Sequence, residues 1–119
     1  MEERMKPIEV SEILIEEFMK PLHISAYKLA KDIFVPVSRI QDILHNRRKI
    51  SIDTSIRLGK YFGMDDLFFF RLQMDLDYRH ALYESEKTYE RIKTVDASDE
   101  YLNVKTKIEQ DLKAIKPII

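Results

Sequence analysis

Between Ser38 and His45 the chain carries a serine, an arginine, a glutamine, an aspartate and a histidine, and "HNRRK" closes the run at Lys49. These side-chain types suit the edges of base pairs. Gln41 can pair with adenine, Arg39 with guanine or a phosphate, Ser38 with either, and a carboxylate such as Asp42 can accept from a cytosine amine. Phosphate repels a carboxylate, so Asp42 raises a question of its own. Three residues after Arg39 on one helix, it is expected to pair with that arginine and aim it, selecting sequence rather than adding affinity. Arg47, Arg48 and Lys49 are of the type that grips phosphate. Other chemistries find little support. There is no cysteine and no glycine-rich phosphate loop, and the histidines at 23, 45 and 80 lack metal-ligand spacing. The expectation is a protein that is not an enzyme and needs no metal or cofactor.

Apolar residues recur at three- and four-residue spacing, and only two glycines and four prolines interrupt them. The expected fold is all-α. A first helix runs from about Glu9 to Lys20 on Val10, Ile13, Leu14 and Phe18, and Pro21 ends it. Ser25 caps a second, which turns Leu29, Ala30 and Ile33 inward. The third spans about Pro36 to His45 with Val37, Ile40, Ile43 and Leu44 as its apolar stripe. The short "FVP" between these two helices forces a large crossing angle, and Ala30 is small where they approach. That is a helix-turn-helix. On the third helix Ser38, Asp42 and His45 point outward, with Arg39 and Gln41 at the flanks.

A fourth helix begins near Ser51 or Asp53, carries Ile52, Ile56 and Leu58 or Gly59, and stops at Gly63. Asp65 caps a fifth, with its stripe on Phe69, Leu72, Leu76 and Tyr83, broadened by Phe68. A polar connector at Asp96, Ala97 and Ser98 precedes a last helix striped by Tyr101, Val104, Ile108, Leu112 and Ile115. That stripe either packs on the domain itself or meets a second copy or a partner. The boundaries expected are a DNA-binding domain over 1–95 and a C-terminal connector and amphipathic helix over 96–119.

The net charge is −1, unevenly spread: residues 20 to 60 hold nine basic and three acidic residues, and the remainder eleven and eighteen. A basic patch on an otherwise acidic chain suggests two partners of opposite charge. No apolar run is long enough for a membrane span and the N-terminus is not a signal sequence, so a soluble, cytoplasmic protein is expected.

The stretches "ISAYKLAKDI", "VPVSRIQDILHNRRKIS", "DTSIRLGKYFG" and "FF…LQ" resemble the core of HigA-type antitoxins, the VapI-like branch of the Xre/Cro superfamily. The resemblance covers about residues 7 to 93. It implies a five-helix lambda-repressor-like domain, here with an additional C-terminal helix, and a homodimeric repressor of its own toxin–antitoxin promoter. The implied partners are a double-stranded DNA operator and a basic ribosome-dependent ribonuclease toxin of the RelE-like fold. On this view Val37, Ser38, Arg39, Gln41, Asp42 and His45 read bases, while Ser25, Lys28, Asn46, Arg47, Arg48 and Lys49 hold phosphates. The alternatives are a solitary Xre-like regulator without a toxin and a protein-only helical adaptor. The chain has His23 and Phe34 where the family commonly has glycine, and Phe69 where it has tryptophan. At Phe34 either the turn adjusts or the ring packs on neighbouring helices at some local strain, with weaker DNA affinity as a consequence.

Overall fold

The structure, a computed structural model, describes residues 5–95 and 98–115, and among them every regular element is helical. α1 (Val10–Ile13) starts where the Glu12 carboxylate accepts the Glu9 N–H at 3.1 Å, and it continues as a π-helical stretch, Leu14–Met19. α2 is Ala26–Asp32, α3 Val37–Leu44, α4 Ile52–Phe62, α5 Phe68–Glu90 and α6 Asp99–Lys113. Serine caps begin three of them: Ser25, Ser51 and Ser98 accept the N–H of Lys28, Thr54 and Tyr101. Each satisfies a donor that the first helical turn leaves unpaired.

The helices also stop alike. His23, Phe34, Asn46 and Gly63 all have left-handed backbone, at φ 54°, 62°, 61° and 69°. In each case the next residue turns its N–H back onto a helix carbonyl: Ile24 to Met19, Val35 to Ala30, Arg47 to Asp42 and Met64 to Gly59, at 2.8 to 3.0 Å. This closure satisfies carbonyls that a helix end otherwise exposes. It needs positive φ, which glycine adopts freely and asparagine tolerates.

Leu14, Leu29, Ile40, Ile43, Ile50, Leu58 and Phe69 are buried completely or nearly so. Removing such side chains from water stabilises by about 1.5–3 kcal/mol each. Phe18 lies against Phe62 and Phe69, with ring centroids 5.0 and 5.1 Å apart. The stripes expected on α2 and through the middle of α3 are thus buried. Three expected core residues are not: Val37, Ile52 and Tyr83 are exposed. Val37 and Ile52 are each the first residue of a helix, where the chain has only just entered the packed layer, and Tyr83 lies near the far end of α5, two residues before its break at Ser85. Thr54 and Ser55 take the buried places on α4 instead. Ser55 is satisfied there, donating to the Asp66 carbonyl at 2.7 Å and accepting the Phe70 N–H at 2.9 Å.

α5 breaks at Ser85, which leaves the helical region at φ −135°. The chain forms two compact units, Met1–Glu86 and Lys87–Ile119. In the second, α6 has no buried residue; Val104, Ile108 and Leu112 of its apolar stripe are exposed, as is Ile115 just beyond its end. No helix among the described residues is long and apolar enough to cross a membrane.

Candidate nucleic-acid interface

α3 is held by Ile40 and Ile43 on one side, which turns its other side outward. Val37, Ser38 and His45 are exposed; Arg39, Gln41 and Asp42 are half-buried. Among the described residues no hydrogen bond engages the side chains of Ser38 and Gln41. The His45 ring turns back instead, its Nδ1 donating to the Gln41 carbonyl at 2.7 Å. His45 therefore finishes the helix while remaining at the surface.

Asp42 does not pair with Arg39. The guanidinium of Arg39 lies 2.8 Å from Asp53 on α4, and the Asp42 carboxylate takes Arg47 at 3.1 Å. Helical side chains lean toward the N-terminus of their helix, so Arg39 leans away from a residue one turn later. It leans toward the first turn of α4. Arg47, by contrast, follows the left-handed Asn46 and swings back over the last turn of α3, where Asp42 meets it.

The remaining cations divide in the same way. Lys49 is drawn to Asp77 of α5 at 2.7 Å, and Lys28 to Asp32 at 2.8 Å. Asp77 also accepts from Gln73 at 2.9 Å, and buried Gln73 accepts the Ile50 N–H at 3.1 Å. That chain pins the basic loop to α5. Arg48 is exposed and has no ion pair among the described residues. Ser25 spends its lone pair on the Lys28 N–H, leaving its hydroxyl proton free to donate. Asn46 is exposed at its turn.

Asp32 accepts from both Lys28 and the Tyr61 hydroxyl, the latter at 2.6 Å. Those two bonds hold its carboxyl below the usual carboxylate value, the lysine's contributing more. The same contacts raise Lys28 and Tyr61. Asp53 is likewise lowered, first by the hydrogen bond from Arg57 and then by that from Arg39. Sequence reasoning gives Arg57, Gln73 and Asp77 no site role and makes Asp53 only a candidate start of α4, yet these four hold the site residues in place. Their i,i+4 spacing was legible; the α3 and loop residues they hold were not.

At the turn between α2 and α3 neither expected adjustment occurs. Phe34 keeps φ 62° and the residue is 86% exposed. The turn is fastened from outside: Arg57 Nη1 donates to the carbonyls of Ile33 and Phe34 at 2.8 and 3.4 Å.

No protein-family model matches the sequence. Virulence-associated protein I of Dichelobacter nodosus is 42% identical over 77 residues, 65% of this chain and 71% of that protein. An addiction-module antidote protein of the HigA family from Coxiella burnetii superposes with a TM-score of 0.70 at 39% identity, covering 77% of this chain and 100% of that one. The chain belongs to the HigA-type, VapI-like family of helix-turn-helix antitoxins. Another HigA, that of Pseudomonas aeruginosa with the higBA promoter, superposes with a TM-score of 0.68 at 33% identity over 76% of this chain and 99% of its own. His23 and Phe34, where the resemblance implies glycine, have the left-handed backbone that glycine adopts freely.

Proposed function

We propose that this HigA-type chain is a DNA-binding antitoxin that, as a homodimer, represses its own promoter and neutralises a basic RelE-like ribonuclease toxin. The observation that carries the DNA part is the free outer face of α3, on which Val37, Ser38 and Gln41 stand unengaged beside the exposed Arg47 and Arg48. A B-form major groove admits one α-helix, and the outward residues of its first turns meet base edges. The promoter held by the Pseudomonas aeruginosa HigA supports the same reading. On it, Val37, Ser38, Arg39, Gln41, Asp42 and His45 face bases, and Ser25, Lys28, Asn46, Arg47, Arg48 and Lys49 face phosphates. Residues 1–95 supply this surface, and 96–119 are an added element. Since Lys28, Arg47 and Lys49 are already paired with carboxylates, phosphate exchanges one anion for another at those positions.

The test is selection of genomic duplex fragments by the full chain at physiological salt. A single enriched site upstream of the chain's own coding sequence is expected; no enriched sequence overturns the DNA reading. The toxin part is tested by co-expression with any short basic protein encoded beside it. Rescue of growth supports an antitoxin. A neighbour that is absent or harmless makes the chain a solitary regulator.

A further inference from the structure

α4 reaches α3 and the turn before it through two residues four apart, Asp53 and Arg57. One carboxylate oxygen, Asp53 Oδ2, accepts from Arg39 Nη1 at 2.8 Å and from Arg57 Nε at 3.0 Å. Arg57 in turn holds the carbonyls of Ile33 and Phe34 through Nη1. The path runs from the α2–α3 turn through Arg57 and Asp53 to Arg39, the single arginine of α3. Asp53 is not needed to cap α4, because Ser51 does that. An acid in the first turn of a helix also needs no arginine to be favourable there. What the second arginine adds is direction. Arg57 is tied to backbone at one end, so Asp53 is fixed, and charge-assisted bonds to a fixed carboxylate give the Arg39 guanidinium one orientation.

We propose that Asp53, anchored by Arg57, is a positioning residue that sets Arg39 for base reading before DNA arrives. This rests on the reading of α3 as the DNA-facing helix. A side chain already ordered loses less freedom on binding, and one whose charge is partly matched adds less to general phosphate attraction. Asp53 thereby shifts the contribution of Arg39 from affinity for any duplex toward preference for one sequence.

The experiment measures affinity of the full chain for its selected duplex and for random duplex, in wild type, Asp53→Asn, Arg39→Ala and the double variant. Thermal unfolding accompanies each, and Asp53→Ser stands in should Asp53→Asn fail to fold. Asp53→Asn is expected to lower the preference roughly tenfold, within the worth of one good arginine–guanine contact, while random-duplex affinity holds or rises. Arg39→Ala is expected to lose as much, and the double variant no more than about twofold beyond it. A preference within twofold of wild type in Asp53→Asn, while Arg39→Ala loses its own, overturns the positioning role and leaves the DNA reading standing. So does a full loss on adding Asp53→Asn to Arg39→Ala, since Asp53 then acts by another route. If Arg39→Ala itself keeps the preference, Arg39 does not read bases and the proposal falls with that assignment.

Discussion

Arg47 folds back on Asp42 across the end of α3, its guanidinium 3.1 Å from the carboxylate, while its own N–H donates to the Asp42 carbonyl at 2.8 Å. In helix endings of this kind the two positions often hold an apolar contact. Here an ion pair takes its place, and it ties a residue proposed to read bases to one proposed to grip phosphate.

Asp42→Ala is expected to release Arg47. The ion pair is half solvated, so stability should fall by less than about 1 kcal/mol. Random-duplex affinity should rise and the salt dependence steepen by about one phosphate, while preference for the selected duplex drops. Titration of both duplexes across a range of salt concentration checks this. A fall in random-duplex affinity would mean that the carboxylate is not restraining a phosphate-gripping arginine.

The four left-handed helix ends offer a graded test of backbone strain. Phe34 is largely exposed, so Phe34→Gly removes little packing and relieves a conformation that costs a non-glycine residue about 1–2 kcal/mol. Net of the greater freedom of glycine in the unfolded chain, a gain of about 1 kcal/mol is expected in urea unfolding. His23→Gly should act in the same direction and Asn46→Gly should change little. Gly63→Ala should cost about 1 kcal/mol from backbone alone, since a Cβ there meets nothing within 4 Å. Equal effects at all four positions would sink the strain account.

Much of this was legible in the sequence because it depends on neighbours along the chain. Ser25 as a cap, Gly63 as a stop, and Leu29, Ala30, Ile40 and Ile43 as core all follow from local spacing, whereas spacing leaves the start of α4 open between Ser51 and Asp53 and the structure gives the cap to Ser51. The partners of Arg39 and Asp42 did not follow. Periodicity places a side chain on a face and says nothing of which helix comes to meet it, and Asp53 arrives from fourteen residues away. Hydrophobic pattern places Val37 and Ile52 inward because it cannot tell a helix's first turn from its middle. Thr54 and Ser55 escape the same pattern for the converse reason, since small hydroxyls enter a core once neighbouring groups satisfy them, as Ser51 does Thr54 and the Asp66 carbonyl does Ser55.

Gly59 has a different reason to be glycine. It lies inside α4, and a Cβ added there would come 2.6 Å from the Asp65 carbonyl oxygen and 3.2 Å from the Asp66 Cα. Both are backbone atoms, so neither can rotate away. Gly59→Ala gains helix propensity of at most about 1 kcal/mol, while forcing the α4–α5 connection outward costs about 1–3 kcal/mol. A net loss is expected by thermal unfolding, with Phe69 becoming more accessible. A stabilised variant would show that the connection yields freely.

The pH dependence of stability should distinguish the two acidic clusters. Asp53 and Asp32 both lie below the ordinary carboxyl value of 3.8 in the folded chain. A depressed carboxyl contributes stability that is present above its unfolded value and lost as pH falls through its folded one. Both contributions therefore disappear below about pH 3.8, and replacing either aspartate by asparagine should flatten the acid limb. The alkaline side separates them. Lys28 and Tyr61 are raised above 10.5 and 10.0, in each case first by the hydrogen bond with Asp32. Raised groups stabilise below their unfolded values, and that stability is lost as pH climbs through the folded ones. Asp32→Asn should thus flatten the limb above about pH 10 as well, whereas Asp53→Asn should leave it unchanged. Urea unfolding from pH 2 to 11 reads both limbs; an unaltered alkaline limb in Asp32→Asn would show that the lysine and tyrosine do not draw their stabilisation from that carboxylate.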